Sequence, residues 1–483
     1  MIMTKEAELL KAENHFREMV EFVDMAVQDG LRIDGVELGL LRGAWKMCLA
    51  MVHAFVAAQG DGDVGETLQV PGQSKPLRRL PDKHWRRYFS IFGDGGWERY
   101  VYGSREGQRI EHVPLDARLG LPASDFSYVL EDWSQRLCVK EAFGEASSVL
   151  ESLLGIPLCV RTLEAMNQRL SGDVETFQAT QAPPPAAEEG EFLVATGDCK
   201  GVPMCRPKAE TPTPAHRRKK GEKANKKQMA CVGAVYTIDP FVRTADDILD
   251  EVMRHQRGTH RPKPQHKRLW AELTREIDGE VRHAKDAVFG AMSDDLCRRN
   301  RGVGRPVIFL LDGERALWEQ QRAYVPWAIG ILDLFHVLEY LWTAAHCLHR
   351  EGTEEAQMFV SERLRALLEG KVKNVIAGLR SLSRRHARKR GTLRRVANYF
   401  ANNREHMRYD DYLAKGYPIG SGVAEGACRH LVKDRMEQTG MHWKIPGAQS
   451  MLHLRAIYLN GEWENYMAYR IAKEQNELYH MGV

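Results

Sequence analysis

Cysteine is sparse and unpatterned in this 483-residue chain: there are nine, an odd number, and no Cys-x-x-Cys spacing occurs anywhere. That argues against a disulfide scaffold and points to a reduced, cytoplasmic setting. A secretory start is also missing, because Met1-Ile2-Met3-Thr4-Lys5-Glu6-Ala7-Glu8 turns charged at once. Long apolar runs are absent too. The most apolar early stretch, Ala44 to Ala58, is interrupted by Lys46 and His53 and falls short of the roughly twenty residues a membrane span requires. No transmembrane segment and no membrane partner are expected. The chain also lacks a strong excess of either charge. With a net charge of +4, any affinity for nucleic acid must come from clustered basic residues rather than from bulk charge. His346-Cys347-Leu348-His349 offers metal-capable side chains, but one short cluster cannot complete a tetrahedral zinc site.

Three acidic residues stand out against these absences. Asp198 ends the apolar run Phe192-Leu193-Val194-Ala195-Thr196-Gly197, and Asp312 ends Val307-Ile308-Phe309-Leu310-Leu311. Glu425 opens an amphipathic segment after Gly420-Ser421-Gly422. Carboxylates are hard oxygen ligands, and a set converging from separate elements can hold two Mg²⁺ ions, with Mn²⁺ as a substitute, about 3.5 to 4 Å apart. Such a pair of ions clamps the attacking and leaving oxygens of a phosphoryl displacement. The plainer reading is that an Asp followed by Gly, as in Asp312-Gly313, simply forms a turn. After Asp312 a helix from Glu314 to Arg322 leads into a second apolar strand, Trp327 to Leu332, which ends at Asp333-Leu334-Phe335-His336. Asp333 therefore competes with Asp312 for the role of second acid, with His336 in support.

Composition and periodicity divide the chain into an N-terminal helical region at 1–82, and a small β-sheet with a helix-turn-helix at 83–180. A linker at 181–190 follows, rich in Pro and Glu. A segment of alternating strands and helices runs over 191–336, a helical, basic one over 337–412, and a further one over 413–483. Core strands are expected near 192–198, 229–238, 306–311 and 327–332, with a poorly marked strand near Phe241 to Arg243 and a long helix from about Pro264 to Asn300. Glu141 to Leu154, the turn Gly155-Ile156-Pro157, and Val160 to Leu170 have the outline of a helix-turn-helix, which would present Arg161, Asn167 and Gln168 to DNA. Plain helix packing has the same outline. Two basic clusters suit phosphate contacts, although charge runs are often merely solvated: Arg217, Arg218, Lys219 and Lys220, and further on Arg384, Arg385, Arg388, Lys389 and Arg390.

Taken together, Asp198-Cys199-Lys200-Gly201-Val202-Pro203, Leu311-Asp312-Gly313-Glu314, Asp333-Leu334-Phe335-His336-Val337-Leu338-Glu339-Tyr340-Leu341-Trp342, Gly420-Ser421-Gly422-Val423-Ala424-Glu425 and Thr439-Gly440-Met441-His442-Trp443 resemble the DDE transposases of bacterial insertion sequences, most closely the ISKra family, which is related to Mutator and hAT transposases. The resemblance runs from about Arg87 onward. It implies an α/β chain whose RNase H-like catalytic core, at 191–336 and 413–483, carries an all-helical insertion at 337–412. It further implies Mg²⁺-dependent cleavage at transposon ends and 3′-OH strand transfer, by Asp198, Asp312 and Glu425. The partners it implies are terminal inverted repeats, target DNA and a second protomer or more, at the nucleoid. A domesticated, non-catalytic DNA-binding protein and a stand-alone nuclease of the same fold are the competing readings.

Overall fold

A computed structural model describes residues 3–70, 75–104, 110–205, 227–253, 261–420 and 422–479, arranged as two compact units: the chain up to Asp173 together with Glu462 onward, and Val174–Gly461.

The first unit begins with a helical hairpin, α1 (Lys5–Gln28) and α2 (Ile33–Ala58). Thr4 caps α1 by accepting from the Ala7 N–H at 3.2 Å. Two glycines on α2 allow the helices to close up: a Cβ at Gly39 would sit 2.1 Å from the Phe22 ring, and one at Gly43 2.4 Å from Met19 Cγ. By length and hydropathy alone α2 could cross a membrane, which differs from the expectation above because only Ala44–Ala58 counts there as apolar. Short strands β1 (Thr67–Leu68), β2 (Leu77–Arg79) and β5 (Tyr102–Gly103) form one small sheet, and β3 (His84–Ser90) pairs with β4 (Gly93–Arg99) as a hairpin. Four helices follow: α3 (Pro114–Leu119), α4 (Tyr128–Cys138), α5 (Phe143–Leu154) and α6 (Val160–Leu170). The C-terminal helix, Trp463–Tyr479, belongs to this unit; the Trp463 indole donates to Asp132 Oδ1 at 2.6 Å.

The second unit is mixed α/β. After α7 (Val174–Thr180), β6 (Phe192–Pro203) and β7 (Lys227–Ile238) run antiparallel over twelve residue pairs. Next come α8 (Ala245–Met253), β8 (Gln265–Leu273), a hairpin of β9 (Arg275–Ile277) and β10 (Glu280–Arg282), and α9 (Ala284–Asn300). Then β11 (Val307–Leu311), α10 (Arg315–Tyr324) and β12 (Ile329–Leu332) complete a five-stranded sheet ordered β12-β11-β6-β7-β8. Its first three strands in chain order are antiparallel, and the last two run parallel to β6. Five helices follow: α11 (Leu334–Leu348), α12 (Glu354–Leu368), α13 (Val372–Arg385), α14 (Arg390–Asn403) and α15 (Tyr409–Ala414). They share one hydrophobic core with the sheet. The unit closes with α16 (Gly422–Ala427), a π-helical turn (Cys428–Lys433), α17 (Asp434–Met436) and α18 (Ile445–Leu459).

The four expected strands are present, but the helix expected from Pro264 and the strand expected near Phe241 are not. The third strand is β8, and helix begins only at Ala284. The sequence signal for this is Asp278-Gly279, both at positive φ (52° and 84°), which forms a tight turn of the kind that joins paired strands and breaks any helix drawn through it.

Candidate active site

The sheet sets the position of the two aspartates. In the parallel β6/β11 pair Leu311 lies beside Gly197, so the next residues, Asp198 midway along β6 and Asp312 just after the last residue of β11, come side by side. Gly197 faces α9, where a Cβ would meet the Phe289 ring at 3.3 Å. Because side chains alternate along a strand, both aspartates point to the opposite face. There the Cys428 thiol, at the junction of α16 and the π-helical turn, donates to Asp198 Oδ2 at 3.3 Å, while the Cys199 N–H donates to Asp198 Oδ1 at 2.6 Å. Burial and the neighbouring Asp198 carboxylate push the Cys428 thiol well up. Glu425 lies three residues before Cys428, on the same side of the helix, and is exposed. The structure therefore delivers α16 to the place where Asp198 and Asp312 lie side by side.

Asp312 is held from both sides. Its Oδ1 accepts from the Glu314 N–H at 2.7 Å, and its main-chain oxygen accepts from the Tyr399 hydroxyl at 2.6 Å. Tyr399 belongs to α14 and stacks on Tyr340 with ring centroids 3.7 Å apart. Gly313 sits at φ +89°, and a Cβ there would lie 2.9 Å from Asn403, Leu332 and Tyr399, so the turn after Asp312 is built against α14 and admits only glycine. The helical segment thus buttresses the strand end. Burial raises the Asp312 pKa; the Glu314 N–H opposes this, Asp198 adds to it, and His336 opposes it again. The Asp198 charge therefore reaches Asp312, and among the described residues neither aspartate nor Glu425 forms an ion pair with Lys or Arg.

Asp333 is built differently. It is 5% exposed and caps α11, its Oδ1 accepting from the Phe335 N–H at 2.8 Å. His336, in the first turn of α11, is half-buried and lies 3.6 Å from Glu339 Oε2. The π-helical turn after α16 leaves carbonyls that a helix would have used, and buried Arg455 from α18 donates to two of them, Leu431 O at 3.1 Å and His430 O. Trp443, read from sequence as core or stacking surface, is 6% exposed and donates its indole N–H to Met436 O, so it belongs to the core.

Sequence reasoning missed a second cluster. The ligand atoms of Glu175, Glu272 and His453 all lie within 4.8 Å of one another, a spacing that could hold a metal ion. These residues come from α7, β8 and α18, with no local motif to announce them. Two guanidiniums already occupy the cluster: Arg275 and Arg282 each approach Glu175 to 2.6 Å, Arg275 also contacts Glu272, and His453 Nε2 lies 2.8 Å from Glu272 Oε1. Burial pushes the Glu272 pKa up, but His453 and Arg275 outweigh it and hold the carboxyl below its usual value.

The residues proposed for DNA fare unevenly. Arg161 and Gln168 are exposed on α6, but Asn167 is 1% exposed and its amide donates to Gln135 Oε1 at 3.0 Å. It faces α4 because it shares a stripe with Leu163, Met166 and Leu170, so the expectation that it presents itself to DNA is corrected. Arg217, Arg218, Lys219 and Lys220 lie outside the described residues. Arg384, Arg385, Arg388, Lys389 and Arg390 are all exposed at the junction of α13 and α14, joined by Arg394 and Arg395, and none is in an ion pair among the described residues.

No family model and no curated protein matches the chain. Among solved structures it is similar to one described as a Drosophila P element transposase strand transfer complex, at 11% identity and a TM-score of 0.24, with 74% of this chain and 82% of that chain covered. A likeness this distant carries no argument about fold or activity.

Proposed function

We propose that the chain is a DDE transposase, a polynucleotidyl transferase with an RNase H-like core in which Asp198, Asp312 and Glu425 hold two Mg²⁺ ions. The observation that carries this reading is the pair of aspartates that adjacent parallel strands bring side by side on one face, without a Lys or Arg ion pair among the described residues, with the Glu425 helix brought to the same place. The donor set fits the group: the oxygens are hard ligands, and the burial that chiefly raises the Asp312 pKa, with the Asp198 charge added to it, is offset by a bound dication. When bound, the ions supply a lowered water pKa and stabilisation of the leaving oxygen. The chain's part is placement. Tyr399 and Gly313 fix the Asp312 turn, and Cys428 orients the Asp198 carboxylate. Asp333 keeps α11, and with it His336, in register, so we assign it a positioning role and Asp312 the role of second acid. Exposed Arg161 and Gln168 on a helix-turn-helix would contact terminal-repeat DNA, and the basic α13–α14 junction would hold phosphates regardless of sequence. Action at two ends calls for at least two protomers.

The test is cleavage of a labelled duplex carrying the DNA that flanks the gene. Asp198→Asn, Asp312→Asn and Glu425→Gln are each expected to abolish Mg²⁺-dependent cleavage while leaving duplex binding nearly intact. Asp333→Asn is expected to retain residual cleavage. A dead Asp333→Asn beside an active Asp312→Asn would overturn the assignment, and full activity in the three variants would overturn the reading.

A further inference from the structure

A cavity of about 650 Å³ lies within the first unit, between α1, α2, the Gly60-Asp61 segment and the β3–β4 hairpin, and its volume suits a small ligand or a single side chain of a partner. Two glycines shape its wall. A Cβ at Gly95 would lie 2.4 Å from His53 Nε2, and one at Gly96 would lie 2.6 Å from Trp85 Cζ2 and 2.9 Å from Cε2. The Trp85 indole therefore rests on bare backbone, and it remains 61% exposed. Trp97 is 2% exposed, with its ring centroid 5.4 Å from that of Tyr88.

Two buried polar groups of the lining residues lack partners. Glu8 is 4% exposed; its Oε1 accepts from Lys11 Nζ at 2.6 Å, but its Oε2 has no hydrogen-bond partner among the described residues. His53 Nδ1 stands 3.7 Å from that oxygen, too far for a hydrogen bond. Burial holds His53 below its usual pKa against the pull of Glu8, with Lys11 adding to the lowering, so at neutral pH the ring brings no charge to the carboxylate. The Trp97 indole N–H is likewise buried without an acceptor among the described residues. Leaving a buried polar group unpaired is costly, and a ligand that pairs it recovers that loss.

Charge and shape select the occupant. The lining carries Glu8, Asp61 and Glu98 against Lys11 and Lys83, one negative charge in excess. Both lysines are engaged, Lys11 by Glu8 and Lys83 by Asp61 at 2.8 Å, so neither is left over for a phosphate or a carboxylate. Glu8 Oε2 calls instead for a donor, best a charged one, and an indole face attracts cations. An ammonium is a compact, strongly hydrated point charge, whereas a guanidinium is planar, stacks on an aromatic face and presents a fork of N–H groups to a carboxylate. We propose that this cavity binds an arginyl residue of a polypeptide, its guanidinium stacked on Trp85 and donating to Glu8 Oε2, and a carbonyl oxygen of the same ligand accepting from Trp97 Nε1.

The experiment is ligand-detected saturation-transfer NMR on the full chain without DNA. The probe is Nα-acetyl-arginine N-methylamide, compared with its citrulline and lysine counterparts and with ethylguanidine. The arginine probe is expected to bind saturably with a Kd of about 1 mM or tighter. The citrulline probe has nearly the same shape without the charge and is expected to bind about tenfold more weakly or worse; the lysine probe, without the planar fork, and ethylguanidine, without the carbonyls, should each lose several-fold. Glu8→Gln is expected to weaken the arginine probe by about tenfold or more, and Trp85→Ala, a change at an exposed side chain, by about threefold. The four probes are ranked on the unmodified protein, so the test does not depend on how well a variant folds. Absence of saturable binding, equal affinity for the citrulline probe, or unchanged affinity in a Glu8→Gln variant that melts as wild type does overturns the proposal. Equal affinity for the lysine probe or for ethylguanidine overturns the assignment to an arginyl residue. The readout uses neither DNA nor cleavage, so its failure is separate from failure of the proposed function.

Discussion

Two clusters of carboxylates within one unit have been treated in opposite ways. Glu175 and Glu272 are matched by Arg275, Arg282 and His453, so their charge is consumed where it stands. Asp198 and Asp312 are set side by side with a Tyr hydroxyl, a Cys thiol and backbone N–H groups around them but no Lys or Arg ion pair among the described residues. By ligand geometry alone the glutamate–histidine cluster looks the better metal site; by electrostatics the aspartate pair is the one left wanting a positive charge. Folding alone does not reward an unpaired acidic pair, and such sites are where structure gives up stability for function.

The largest difference expected between the clusters is in chemistry. Asp198→Asn should lower Mg²⁺-dependent cleavage by about 10³-fold or more, while Glu272→Gln should leave the rate per folded molecule near wild type. Equal losses would erase the distinction. Stability should show the reverse order: Glu272→Gln leaves Arg275 and His453 without their buried partner and is expected to cost about 3 kcal/mol, read as a lower urea midpoint. Because the Glu272 pKa is depressed in the folded protein, its contribution is complete above the ordinary carboxylate value of 4.5 and is lost as pH falls through the lower folded value. Acid denaturation of Glu272→Gln should therefore be shallower than that of wild type in this window.

Asp312 has the opposite sign. Its folded pKa is raised above 3.8, so its ionised form opposes folding at neutral pH, and Asp312→Asn should stabilise the metal-free protein by about 1 kcal/mol or less, seen as a higher melting temperature in EDTA. Mn²⁺ uptake, followed by calorimetry, should weaken on acidification at a pH above that expected of an ordinary aspartate, since Asp312 must lose its proton to bind. The smallest effect is expected away from both clusters. Replacing Arg388, Lys389 and Arg390 by Ala should reduce affinity for all duplexes and lower the salt slope by about one for each phosphate that the side chains neutralise.

Much of the aspartate pair was legible in sequence because its cues are local. Five apolar residues closed by Asp312 read as a buried strand ending in an acid and fold so, whereas the strand read as ending at Asp198 continues past it to Pro203, paired with β7. The exposed arginines of the α13–α14 junction were legible for the same reason. The glutamate–histidine cluster was not, since Glu175, Glu272 and His453 meet only when α7, β8 and α18 pack together. Asn167 was misread because a polar residue on a helix was assumed to face solvent, whereas Gln135 on α4 offers its amide a partner and draws it inside.

What the sequence determined by itself is whatever depends on near neighbours: the strand closed by Asp312, the apolar run leading into Asp198, the helical periodicity of the N-terminal region, the turn at Gly313 and the Asp278-Gly279 turn that ends any helix begun at Pro264. Tertiary structure alone decided which charges are satisfied, because a carboxylate's partner comes from whichever element the fold lays beside it. Register put Asp198 next to Asp312, packing gave Glu175 and Glu272 their arginines, and the difference between the two clusters lies in that placement rather than in the residues themselves.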